Sequence, residues 1–285
     1  MKAEPSRTWS IIVTFFGDAI VPRGGSVWLG TLLELFEALG INAPVVRTAV
    51  SRLTTDDWLD RTRLGRNSFY RLSGRGASEF EQAAKRVYAG AGPNSGASEL
   101  SFALLKAEGD KDAAREDLKR SGYAQVSGDL WMSVNGVAPP SANAICFSGH
   151  ATREDGWALA RICWPVGELA ARYAEFLRAF SALDENLKHH HDVLPRNAII
   201  ARTLLIHEFR RIVLRDPILP EAILPPDWPG REAAALCRRL YGKLLPASEA
   251  WLDTHGRCAG GLLPPASGML ASRFGLAPST YNKNN

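Results

Sequence analysis

The chain has 285 residues, 46% hydrophobic and 22% charged, with a formal net charge of +4. That length calls for two or three domains, and that composition excludes a disordered or fibrous chain. Residues 1–89 carry twelve Lys or Arg against nine Asp or Glu, whereas the rest of the chain carries 22 against 21, so the first third is the part suited to a polyanion. From the N-terminus, residues 8–16 (TWSIIVTFF) and 27–39 (VWLGTLLELFEAL) read as helices with apolar faces. The intervening DAIVPRGG, with Pro22 and Gly24–Gly25, reads as a loop. Gly40 closes the second helix, and Asn42 caps a third that has Pro44 in its first turn. In that third helix Val46, Ala49, Val50 and Leu53 recur at helical spacing and form one buried face, while Arg47, Thr48, Ser51 and Arg52 fall opposite. After Trp58 and Leu59, LDRTRLGRNSFYRLS reads as a hairpin turning at Gly65-Arg66-Asn67 and ending at Ser73-Gly74, with a further helix over 78–88.

Residues 89–97 (AGAGPNSGA) have no bulky side chain and read as a linker. Beyond it, SELSFALLKA reads as a strand, KDAAREDLKRS as a helix, YAQVSGDLWMSV as a strand pair around Ser127–Asp129, and NAICFSG as another strand. That mixed order predicts a small α+β unit. From about Val166 the pattern is helical: ELAARYAEFLRAFSALDENL, PRNAIIARTLLIHEFRRIVLRD, REAAALCRRLYGKLL and ASEAWLDTH, with the Pro-rich connection DPILPEAILPPDWPG between them. The tail after Leu262 is expected to be loose at its end. The fold class is α+β and multidomain: a winged helix-turn-helix over 1–89, an α+β domain over 98–165, and a helical C-terminal domain over 166–285 for effector binding and dimerisation.

Major-groove reading needs a helix that is docked by one face and presents donors on the other. Residues 42–55 meet both demands. Arg47 and Arg52 can hold guanine edges, and Thr48 and Ser51 can reach bases or phosphates. The hairpin brings Arg61, Arg63, Arg66 and Arg71 toward phosphates, with Arg66 at the turn suited to a narrow minor groove. Two arginines on a helix alone are a solvated face; helix, turn, helix and an arginine-rich hairpin in succession point to double-stranded DNA.

Other chemistries find less support. Cys146, Cys163, Cys237 and Cys258 are widely spaced, with no CxxC pair, which predicts reduced thiols and no zinc site. His189-His190-His191 point in different directions and read as a solvated helix end, with no metal expected. There is no Ser-His-Asp order, P-loop or GxGxxG, so no enzyme and no cofactor are expected. No signal peptide and no membrane span is read, and the chain is expected to be cytoplasmic.

Two blocks, FGDAIVPRGGSVWLGTLLELFEALGINAPVVRTAVSRL and ARTLLIHEFRRIVLRDPILPEAILPPDWPG, resemble the PaaX-like repressors of phenylacetic acid degradation. The resemblance implies a ferredoxin-like, Cas2-like middle domain. It also implies a homodimeric repressor of a catabolic operon, released from its operator by an aryl-CoA thioester such as phenylacetyl-CoA. A thioester of that kind needs arginines for its phosphates and an apolar pocket for its acyl group. Arg202, His207, Arg210 and Arg211 on the helix over 202–215 are the candidates for the former, and Trp131, Trp164 and Trp228 for the latter. The alternative for that helix is internal pairing of its arginines with Glu208, Asp216 or the acids of 168–187. Two rivals for the whole chain are a Cas2-like nuclease and an architectural DNA-binding protein without an effector. The first strand offers the nuclease only Glu99.

Overall fold

The computed structural model describes residues 8–88, 99–134, 143–189 and 192–275. The linker at 89–97, His190 and His191 lie outside them. The chain forms two compact units: residues 1–91, 176–214 and 232–285 make one, and residues 92–175 and 215–231 the other. These are not the three successive segments expected. The reason lies in the core of the first unit, where Ile199, Trp251, Leu252 and Leu263 share one cluster with Ile12, Phe16, Leu32 and Val50. The apolar faces that suggested a separate helical domain are buried against the N-terminal helices.

In the first unit, α1 (Thr8–Phe15) runs into a π-helical turn (Phe16–Ile20) and a short 3-10 turn (Val21–Arg23). The segment expected to be a loop is therefore largely helical. The expected second helix begins later than its apolar run: Ser26–Trp28 is a strand, β1, and α2 spans Leu29–Ala38. Its end is a Schellman motif. Gly40 adopts φ +74°, its N–H donates to the Glu37 carbonyl, and that of Ile41 donates to Phe36, each at 2.9 Å. Asn42 then caps α3 (Ala43–Thr55), its side chain accepting from the Val45 N–H at 3.2 Å. β2 (Leu59–Leu64) and β3 (Asn67–Leu72) form the hairpin, and β1 adds to its far side in the order β1-β3-β2. α4 (Gly74–Tyr88) starts four residues before the expected point, because Ser73 Oγ accepts from the Gly76 N–H at 3.0 Å.

The second unit contains an antiparallel sheet in the order β5-β6-β4-β7. Its strands are β4 (Glu99–Leu105), β5 (Ala124–Ser127), β6 (Leu130–Ser133) and β7 (Ala144–His150), with α5 (Lys111–Arg120) after β4. Ala103, Leu105 and Trp131 of the sheet bury against Ala114 and Leu118 of α5. α6 (Arg153–Cys163), not anticipated, is started by Thr152, whose hydroxyl accepts from the Asp155 N–H at 3.1 Å. Trp228 packs against Trp157 and Tyr173 in the same unit. Three long helices follow: α7 (Val166–His189), α8 (Pro195–Val213) and α9 (Pro229–His255). α9 was expected as two helices, yet it continues through Pro246. A proline removes one backbone hydrogen bond, but Leu244, Leu245, Ser248, Glu249, Trp251 and Leu252 on both sides of it are buried, and that shared burial holds the helix in one piece.

The first unit is tied across long sequence separations by buried charge. Asp18, in the π-helical turn, accepts from Arg202 Nε at 2.7 Å, Tyr88 Oη at 2.6 Å and Arg273 Nη1 at 2.9 Å. Arg23 reaches Glu249 and Asp253, each at 2.7 Å. Burial alone raises the Asp18 carboxyl, but the Arg202 and Arg273 guanidiniums and the Tyr88 hydroxyl outweigh it and hold the group below its ordinary value. The C-terminal part of the chain is correspondingly not loose as far as Gly275: Arg273 is buried in this network.

Candidate nucleic-acid interface

α3 is docked by Val46, Ala49, Val50 and Leu53, all buried, with Arg47, Thr48, Ser51 and Arg52 exposed. The exposed residues form two rows. Arg47 and Ser51, one helical turn apart, face the hairpin. Thr48 and Arg52 lie on the next row, where Thr48 Oγ1 donates to the Pro44 carbonyl at 3.0 Å and Arg52 Nε meets Asp56 at 3.4 Å.

The hairpin register decides where its arginines go. Arg61 stands opposite Tyr70, Arg63 opposite Ser68 and Leu64 opposite Asn67. Cross-strand partners share a face, so Arg61 and Arg63 lie on one side. The loop between the strands is Gly65-Arg66, with Gly65 at φ +59°, as a two-residue hairpin with glycine first requires. Arg71 stands opposite Asp60 and Ser26, on the other side of the sheet.

These placements create one exposed groove of about 560 Å³. Arg47 and Ser51 of α3 and Arg61, Arg63 and Arg66 of the hairpin all line it, together with the first turn of α2. Arg61 is steadied by Ser68, whose Oγ accepts from Nε at 3.2 Å and from Nη2 at 2.8 Å. Arg63 Nε donates to the Gly65 carbonyl at 3.2 Å. Five of the eight predicted DNA-binding residues thus converge, while Thr48, Arg52 and Arg71 lie outside the groove. Trp28, Asn67 and Tyr70 also line it and were missed by the sequence reading. Strand alternation held the signal for Tyr70, which shares a face with Arg61. The arrangement offers several guanidinium donors beside an exposed helix row, which is chemistry for phosphates and guanine edges.

The candidate effector residues do not form one site. Arg202 is fully buried, and its five N–H donors are all taken: Nε by Asp18, Nη1 by Ser248 and Glu249, and Nη2 by the Asp18 carbonyl and Tyr241. No donor remains for a phosphate, so its assignment to the effector is corrected. His207 is also fully buried, with Nδ1 at 3.0 Å from Thr14 Oγ1. Burial, with the nearby Arg210 and Arg211 charges, lowers its pKa to about 3. Glu208 lies 3.9 Å from Nε2, which favours the charged ring, but that carboxylate is committed to Arg211 at 3.1 Å and burial prevails. A neutral, buried ring is no anchor for phosphates. Arg211 thus realises the alternative of internal pairing. Of the three arginines, Arg210 alone makes no ion pair among the described residues. Its Nη1 donates to Thr14 Oγ1 at 2.8 Å. Of the candidate tryptophans, Trp131 and Trp228 are buried in the second unit, and Trp164 borders a cavity of about 60 Å³ near Arg172 and Arg215.

Residues 7–76 match the PaaX-like protein family, and residues 164–254 match the PaaX-like protein C-terminal domain. The transcriptional repressor PaaX of Escherichia coli (strain K12) is 35% identical over an alignment that covers 96% of this chain and 92% of that protein. The chain belongs to the PaaX-like family. The PaaX-like matches fall on the two parts whose residues carried the resemblance, and they group the chain with transcriptional regulators and not with enzymes. An uncharacterized protein of Mycobacterium tuberculosis has a similar fold, with a TM-score of 0.51 and 18% identity over 78% of this chain and 89% of that one. Among the described residues, no helix is long and apolar enough to cross a membrane.

Proposed function

We propose that this chain is a cytoplasmic transcriptional repressor of an aromatic, phenylacetate-type catabolic operon. It binds operator DNA through a winged helix-turn-helix and is released by an aryl-CoA thioester such as phenylacetyl-CoA. The observation that carries the DNA-binding part is the convergence of Arg47, Ser51, Arg61, Arg63 and Arg66 on one exposed groove. In this reading α3 enters the major groove, α2 lies across the backbone and the hairpin is the wing. Thr48 and Arg52, exposed on the same helix, stay available to neighbouring bases, and Arg71 contributes least.

The repressor acts as a homodimer, since one recognition helix reads few base pairs and a two-fold protein suits a two-fold operator. The second unit is read as ferredoxin-like. Its strand order supports this, with the first strand beside the third and fourth, although α6 follows the last strand instead of preceding it. A Cas2-like nuclease is not favoured. β4 contributes Glu99, which accepts a hydrogen bond from Ser148, and among the described residues no three His, Cys, Asp or Glu side chains are grouped to hold a metal. Effector release separates the repressor from an architectural protein.

The test is an electrophoretic mobility shift on the promoter next to the chain's own gene, with and without phenylacetyl-CoA. Retarded DNA that the thioester frees supports the whole reading. Retardation untouched by thioesters supports the architectural alternative, and no retardation at low salt refutes DNA binding.

A further inference from the structure

The DNA-facing groove has one wall without charge. α3 and the hairpin bring its cations, whereas the wall at the start of α2 is Trp28, Leu29, Gly30 and Leu33. Trp28 stands where β1 ends and α2 begins. Pairing with Phe69 fixes its backbone, which is extended at φ −71° and ψ 141°, and the chain turns helical at the next residue. The indole folds back onto Gly30. A Cβ at position 30 would lie 2.2–2.4 Å from three atoms of the six-membered ring, Cζ3, Cη2 and Cε3, closer than any side chain tolerates. A glycine inside a helix costs stability relative to alanine. Here it makes room for the ring.

The core does not account for that ring. Val27 before it belongs to the core cluster of the first unit and Leu29 after it packs against that cluster, but Trp28 does neither among the described residues. Trp251, whose place is the core, is 2% exposed, whereas Trp28 is half-buried and borders the groove. Its Nε1–H makes no hydrogen bond among the described residues, yet it is not sealed from solvent. Trp28 therefore offers the groove an apolar ring and one neutral donor beside the arginines. A DNA strand presents the complement of both, since its deoxyribose carbons are apolar and its phosphate oxygens accept.

We propose that Trp28 is a DNA contact, its ring lying against a deoxyribose and its Nε1–H donating to a phosphate of the strand that crosses the start of α2. Gly30 is the positioning residue that holds the ring there. The assignment rests on the DNA-binding reading above and adds to its cations a contact that carries no charge. Lacking charge, that contact leaves counterion release unchanged. Lying on the backbone, it reads no base.

Fluorescence anisotropy of the full chain tests this, on a duplex carrying the promoter next to its own gene and on a scrambled duplex of the same length, over a range of salt concentrations. Circular dichroism establishes that each variant is folded. Trp28→Ala is expected to weaken both duplexes about tenfold with the salt slope unchanged. Trp28→Phe keeps a ring over Gly30 and removes the donor, and is expected to weaken both about threefold. Gly30→Ala is expected to displace the ring and to cost as much as Trp28→Ala in the wild-type chain, but nothing in a chain already carrying Trp28→Ala, because the two residues act as one unit. Wild-type affinity in folded Trp28→Ala and Trp28→Phe overturns the assignment. So does a shallower salt slope in Trp28→Ala, which would mean that the ring acts only by holding the arginines. A Gly30→Ala cost that persists in the Trp28→Ala chain overturns the role given to Gly30. No binding of either duplex by the wild type at low salt refutes the DNA reading itself, and this assignment with it.

Discussion

Replacing Arg202 by methionine separates a structural arginine from a ligand-binding one. Methionine keeps much of the side-chain volume and removes all five donors, so Asp18 and Glu249 each lose an ion pair inside the protein. Asp18 retains Arg273 and Tyr88, and Glu249 retains Arg23. Both acids nonetheless stay buried with less compensation. Removing one partner of a buried pair costs about 3–5 kcal/mol. For a folding unit of this size that is a fall in melting temperature of roughly 6–20 °C, at about 2–4 °C per kcal/mol. Thermal denaturation followed by circular dichroism at pH 7 measures it. Arg211→Met is the control, since its pair with Glu208 is partly exposed and the change is expected to stay within about 0.5 kcal/mol. If Arg202→Met melts within 2 °C of the wild type (roughly 1 kcal/mol or less), the network does not hold the unit together. If it also loses its response to phenylacetyl-CoA, Arg202 is a ligand contact after all.

Arg47→Ala and Arg61→Ala are each expected to weaken operator binding by about 1–3 kcal/mol in fluorescence anisotropy, with Arg47→Ala also narrowing the gap to a scrambled duplex. Equal affinities for both variants and wild type contradict the groove. Arg66→Ala is expected to weaken operator and scrambled DNA alike and to reduce the salt slope by about one. Arg71→Ala is expected to leave operator affinity nearly unchanged, since it lies across the sheet from Arg61 and Arg63; a loss as large as that of Arg61→Ala would assign the opposite sheet face to DNA. His207 is neutral when folded, with a pKa lowered to about 3, but protonates near pH 6.5 when unfolded. The unfolded state therefore binds the extra proton between those values. Stability falls as pH drops below about 6.5, by at most about 1.4 kcal/mol per pH unit from this group, and levels off near pH 3. His207→Gln is expected to flatten that dependence between pH 7 and 5 in urea titrations, and an unchanged slope contradicts a neutral buried ring.

What the sequence determined by itself is what short-range interactions dictate. The Schellman end at Gly40, the cap at Asn42 and the turn at Gly65-Arg66 each depend on residues within a few positions of one another, and all three stand where the chain pattern puts them. The buried face of α3 was readable for the same reason, since helical spacing alone sets it. Strand alternation even contained the separation of Arg71 from Arg61 and Arg63, although reading it required the register of the hairpin. The tertiary structure alone decided the arginines of α8. Arg202, Arg210 and Arg211 look alike in sequence. Arg202 finds its acids 184 and 47 positions away, Arg211 finds one three positions away, and Arg210 finds none among the described residues. Likewise nothing local distinguishes the continuous α9 from two helices broken at Pro246, or the helical turn at Asp18 from a loop. For Arg202, for the continuous α9 and for the turn at Asp18 the deciding energy comes from burial against segments far along the chain, and a charge or a proline there takes its meaning from partners that only folding brings near.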